Sequence, residues 1–135
     1  MGQRIVSGLV GNATLIVAEE HTAPSIGSGK VRVLATPVMI SLIEAAALNA
    51  IEHLLDEGYQ SLGTRLDVRH FAATPVGMRV TATAEVARVE GRTVHFRVEA
   101  RDEAELIGDG SHERVVVNVA KFDLRIQRKL KGEGR

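Results

Sequence analysis

The sequence has no cysteine and no tryptophan, and only 3% of its residues are aromatic. Without cysteine there is no disulfide framework, no thiolate nucleophile and no zinc–thiolate site. The lack of disulfides fits a reducing compartment, and a cytoplasmic location is expected. So few rings argue against a surface built to stack nucleic-acid bases. Charge of either sign is not in excess: 17 Lys and Arg face 17 Asp and Glu. The basic bias of a nucleic-acid binder is therefore missing. No charged n-region with a following apolar h-region opens the chain. The longest apolar stretch is interrupted by Ser41, Glu44 and Asn49, which argues against a membrane span. HExxH, CxxC and paired His–Asp spacings are missing, as are GxxxxGK[ST] and GxGxxG. No metal, nucleotide or other cofactor, no nucleic acid and no membrane partner is expected.

What is there fits one globular domain of 135 residues, 44% hydrophobic and 25% charged. A short strand is expected at residues 14–18, "TLIVA", and a loop at 24–30, "PSIGSGK". Residues 37–57 read as one helix. Thr36 would be its N-cap, Pro37 its first residue and Gly58 its stop. The helix is apolar over most of its circumference, as a buried helix is. Four strand-like segments follow, at 62–74, 78–89, 92–101 and 106–122. Their alternation and the short turns "VEGR" and "RDEAE" predict an antiparallel meander with one polar face. Gly108 and Gly110 would let the helix backbone approach the sheet. From Leu124 the chain turns basic, "RIQRKLKGEGR", and is expected to fray, which gives a domain at 1–124 and a tail at 125–135. The order predicts an α+β hotdog fold: a curved antiparallel sheet of about five strands wrapped around one long buried helix. Open sheet edges predict a homodimer, which could pair further into a tetramer.

Two polar residues fall on apolar faces. In "RLDVRHFAATPVG", His70 shares a face with Leu66, Val68 and Ala72, while Arg65, Asp67 and Arg69 point the other way. On the helix, Glu44 lies in one row with Ile40, Ile51 and Leu55. Glu52, Asn49, His53 and Asp56 form the wetter side. A carboxylate and an imidazole in such places are costly unless paired, and burial tunes both for acid–base work. Thr36 stands at the helix N-terminus, where free N–H groups favour an anion or a polarised carbonyl. The structural alternatives are a satisfied core histidine, a snorkelling glutamate and a simple cap. His112, in "GDGSHERVVV", ranks lower, and His21, His53 and His95 read as surface residues.

The stretches "GSGKVRVLATPVMISLIEAAA", "SLGTRLDVRHFAATPVGMRVTATAEV" and "IGDGSHERVVVNVAKF" resemble the fluoroacetyl-CoA thioesterase-like family of hotdog proteins over about residues 14–122. The resemblance implies that the family's catalytic threonine, glutamate and histidine correspond to Thr36 in "LATP", Glu44 in "SLIEAAA" and His70 in "VRHFAATP". It implies substrate-binding roles for Gly63 in "SLGT" and Arg114 in "SHER". Fluoroacetyl-selective members carry bulky aromatic residues in the loop before the threonine, and "SIGSGKVRV" has none.

The implied activity is that of an acyl-CoA thioesterase acting on a small or medium acyl group. Glu44 would be base or nucleophile, His70 the acid/base partner, and Thr36 would polarise or orient the carbonyl. The alternative is a non-catalytic acyl-CoA-binding hotdog module. A hydratase would need an Asp beside His70, and Asp67 lies on the opposite face of its strand.

Overall fold

The computed structural model describes residues 4–132. Strand β1 (Val10–Ile16) leads through a 3-10 turn (Glu19–His21) and a one-turn helix α1 (Ala23–Ile26) to the long helix α2 (Thr36–Ile51). A second 3-10 turn (Glu52–Leu54) follows, then β2 (Tyr59–His70), β3 (Arg79–Glu90), β4 (Thr93–Arg101), β5 (Leu106–Asn118) and α3 (Val119–Leu130). The five strands form one antiparallel sheet in the order β1-β3-β4-β5-β2, curled around α2.

Only β3, β4 and β5 form the expected meander. β2 crosses to the far side and pairs with β5. The physical reason lies in residues 71–78, "FAATPVGM", which hold Pro75 and Gly77 and are too long for a tight hairpin. Both outer strands, β1 and β2, therefore have a free edge.

The core lies between α2 and the concave face. Met39, Ile43, Ala46, Ala47, Ala50 and Ile51 of α2 are buried against Val80, Ala82, Ala84, Val86, Phe96 and Val98. Fully burying one of the larger side chains contributes about 1.5–3 kcal/mol. α2 ends at Ile51 rather than at residue 57. The chain tightens into the 3-10 turn, runs extended at Leu55, and turns at Gly58 with φ 86°.

Helix and sheet meet backbone to backbone at Gly11 of β1. A Cβ there would collide with Ala46 O and Ala50 N, and would stand 2.8 Å from Ala50 Cα. At Gly108 a Cβ would meet Arg69 O at 2.6 Å and Met39 Sδ at 2.8 Å, and at Gly110 the backbone of Asp67 and Val68. These two glycines serve the β2–β5 contact and one helix side chain. The helix backbone is met at Gly11 instead.

The C-terminal segment is helical through Leu130. Asn118 caps it, its Oδ1 accepting from Lys121 N at 3.0 Å. Arg128 and Lys129 stand in the last turn, where cations suit the helix dipole. Val119, Phe122, Ile126 and Leu130 share one side of the helix.

Gly11→Val is expected to cost about 3 kcal/mol or to prevent folding, because the obstructing atoms are helix backbone. Gly29→Ala, whose Cβ would meet only Ala23 Cβ at 3.4 Å, should change stability by less than about 0.5 kcal/mol. Denaturant midpoints of the two variants check the contrast. Equal midpoints would contradict the close helix–sheet contact.

Candidate active site

The entry to α2 is tied down from two sides. Leu34 N donates to Thr74 O and Ala35 N donates to His21 O, both at 2.9 Å. Thr74 is itself fully buried and donates its hydroxyl to Asp102 at 2.9 Å. Ala35, not Thr36, is the N-cap, and Thr36 and Pro37 occupy the first two helical positions. The Thr36 hydroxyl is thus not used in capping. Its Oγ1 lies 2.7 Å from His70 Nδ1, at the end of β2. The other ring nitrogen, His70 Nε2, is buried with no hydrogen-bond partner among the described residues. His70, Phe71, Ala72 and Ala73 line an open cleft of about 260 Å³. Burial lowers the His70 pKa, partly offset by the Ala72 backbone, so the ring is neutral at pH 7. A hydroxyl on a neutral imidazole can accept, donate and relay a proton.

Glu44 belongs to a second cluster. Its Oε2 lies 3.5 Å from Arg114 Nη1, and a Cβ on Gly63 would stand 2.5 Å from the same oxygen. The Glu44 side chain is 38% exposed, whereas Arg114 behind it is 5% exposed as a residue. Arg114 Nε donates to Ser61 Oγ at 2.8 Å and Nη2 to Ser61 O at 3.1 Å. Ser61 in turn donates its N–H and its hydroxyl to the two oxygens of Glu52, at 3.1 and 2.8 Å. Nη1 also meets His112 Nε2 at 3.1 Å. Burial lowers the Arg114 pKa, and the carboxylates of Glu44 and Glu52 counter it, so the guanidinium stays charged.

The structure therefore joins Thr36 with His70, and Glu44 with Gly63 and Arg114. No hydrogen bond or ion pair among the described residues links the two groups. Thr36 and Glu44 are eight residues apart on one helix, about 12 Å of rise.

Three members of the second cluster stood outside the expected site residues: His112, which ranked lower, Ser61, and Glu52, which was placed on the wetter side of the helix. His112 is 1% exposed and stacks on Phe96 with ring centroids 5.9 Å apart. Its alternation with Arg114 and Val116 along "HERVV" was the available signal, since it puts all three on the inner face. Ser61 and Glu52 had no such signal, because their pairing depends on where β2 begins. His95 is not a free surface residue either: it lies between Glu90 at 2.8 Å and Glu113 at 3.5 Å. No group of three or more His, Cys, Asp or Glu suited to a metal ion occurs among the described residues.

This architecture recurs in known structures. A thioesterase superfamily member from Thermus thermophilus is 33% identical, with a TM-score of 0.89 over the whole of both chains. A hot-dog-like protein from Thermanaerovibrio acidaminovorans is 27% identical, covers 91% of each chain and has a TM-score of 0.83. The class is that of the hotdog-fold thioester hydrolases. Within it, the family model for fluoroacetyl-CoA-specific thioesterase matches residues 17–120. The fluoroacetyl-CoA thioesterase of Streptantibioticus cattleyicolor is 45% identical over 97 residues, 72% of this chain and 70% of that enzyme. A solved structure of the fluoroacetyl-CoA thioesterase FlK has a TM-score of 0.87 and 36% identity, covering 93% of this chain and 97% of that one. The chain belongs to the fluoroacetyl-CoA-specific thioesterase family.

The pKa values of His70 and His112 both lie below the ordinary imidazole value of 6.5, burial being the main cause in each. The unfolded chain takes up protons on these rings at higher pH than the folded chain does. Stability is therefore expected to fall as the pH drops through about 6.5, and this contribution levels off below the folded pKa values. Ring-proton NMR titration of the two histidines checks the values, and denaturant midpoints across the same range check the sign.

Proposed function

We propose that the protein hydrolyses small or medium acyl-CoA thioesters at a site completed by two copies of the chain. The observation that carries this reading is the separation of the two polar groups. The Thr36–His70 pair and the Glu44–Gly63–Arg114 cluster both reach open space, yet stand about 12 Å apart along α2. One small thioester cannot touch both in a single chain. The β2 edge favours a homodimer. It is 12 residues long and unpaired, with Leu62 38% and Leu66 41% exposed. A two-fold pairing of these edges would set the first group of one copy against the second group of the other.

In this site the thioester carbonyl lies at the N-terminus of α2, where the Thr36 hydroxyl and backbone N–H stabilise the oxyanion; Pro37 has no N–H, and Val38 N and Met39 N donate to Ala35 O. Glu44 takes a proton from water, and the hydroxide adds to the carbonyl carbon. The C–S bond then breaks, and the CoA thiolate takes the proton that Glu44 removed from water, either directly from the Glu44 acid or relayed through the neutral His70 ring. Gly63, having no side chain, lets the Glu44 carboxylate lie against β2 beside Arg114. Arg114 orients the carboxylate and the acyl group. FlK variants were crystallised with acetyl-CoA and with fluoroacetate and CoA. This chain has no aromatic residue between positions 22 and 36, so the reading includes small acyl groups without selection for fluorine.

The test is free-thiol release from an acyl-CoA panel running from acetyl to long-chain. Glu44→Ala and His70→Ala should each lower kcat/KM by about 100-fold or more while remaining folded. Gly63→Ala should lower kcat about tenfold with little loss of stability, because the Glu44 side chain must swing aside. Binding of every acyl-CoA without turnover would contradict hydrolysis and favour a binding module. Label appearing in Glu44 after a single turnover in heavy-oxygen water would mean an anhydride and contradict the base role.

A further inference from the structure

Arg114 holds Glu44, and something must hold Arg114. A guanidinium can only donate hydrogen bonds. Its contact with His112 Nε2 at 3.1 Å therefore requires a lone pair on that nitrogen. The ring proton then sits on Nδ1, which lies 2.8 Å from Arg65 O and donates to it. Geometry alone makes His112 a neutral imidazole in one tautomer. Burial disfavours its charged form. Arg114 on β5 opposes protonation. Glu44 from α2 and Glu113 on β5 favour it, but Glu113 pairs with His95 and Arg65. β4 contributes the Phe96 ring and β2 the Arg65 carbonyl. No step of the hydrolysis described above uses this residue.

We propose that His112 is a positioning residue for thioester hydrolysis: as the neutral Nδ1–H tautomer it fixes Nη1 of Arg114, and through Arg114 the Glu44 carboxylate beside Gly63. The proposal rests on the thioesterase reading of Glu44. Ser61 holds the other two nitrogens of Arg114 and is anchored by Glu52 at the end of α2, so His112 sets the one remaining direction. Protonating His112 would put two cations at a 3.1 Å contact and turn Nη1 away.

Two variants test this. His112→Phe keeps the ring volume and the stack on Phe96 but accepts nothing. His112→Gln keeps an acceptor and cannot be protonated. In variants matched for melting temperature, Phe should lower kcat about 10- to 100-fold with KM changed less than about threefold. Gln should stay within about fivefold of wild type, and its activity relative to wild type should rise as the pH falls through the lowered pKa of His112 in the folded protein. Imidazole nitrogen NMR of the wild type should show the proton on Nδ1. A Phe variant with wild-type kcat, or a proton on Nε2, overturns the proposal. Absence of turnover in the wild type on every thioester overturns the thioesterase reading and this role with it. Turnover with an indifferent Phe variant overturns only this role.

Discussion

The depth at which α2 lies on the sheet governs everything else in this molecule. Gly11 has no side chain, and Ala46 and Ala50 have almost none, so helix and β1 meet backbone to backbone. That contact fixes how far every other residue of α2 stands from the strands. Met39 then reaches the floor of β5 at Gly108, and Glu44 reaches β2 at Gly63. A helix raised by one methyl group would pull Glu44 away from Arg114. The small residues along α2 are thus as much a part of the site as its polar ones.

A buried charged group survives only when its hydrogen-bonding capacity is met. Arg114 has a partner at each of its three nitrogens, through Ser61, His112 and Glu44. Each partner is in turn committed: Ser61 to Glu52, and His112 to the Arg65 carbonyl. The result is a chain of donors and acceptors from the end of α2, across the first turn of β2, to the inner face of β5. Both of its carboxylate ends, Glu44 and Glu52, are partly exposed. The Thr36–His70 pair is built differently. It is a single 2.7 Å contact, and one ring nitrogen is left buried and unpaired. The Arg114 end is held by the protein's own partners, and the His70 end keeps one unmet hydrogen bond. This is the arrangement expected when a substrate supplies the missing bond.

The hotdog architecture was legible because its signals are local. Strand alternation, the apolar helix and the turn residues "VEGR" and "RDEAE" all act over a few residues. The β2–β5 pairing was not, since nothing in residues 59–70 states which partner they seek. Thr36 shows the same limit on a smaller scale. Thr before Pro is a sound capping signal, but the hydroxyl has a better partner 34 residues away. The C-terminal helix was hidden by its charge: lysines and arginines suggested a solvated tail, while the Asn118 cap and the spacing of Val119, Phe122, Ile126 and Leu130 specify a helix. Glu44 and His70 were visible as polar residues on apolar faces. That they belong to two separate clusters could not be read without the sheet order.

The claim that matters most is that these two clusters complete one another between copies. It is tested most directly by co-expressing His70→Ala with Glu44→Ala and measuring thioester hydrolysis by the mixture. Random pairing makes half the dimers mixed, and each mixed dimer then holds one intact site of two, so about a quarter of wild-type activity should return from two inactive parents. A mixture as inactive as its parents would place the whole site within one chain and contradict the account.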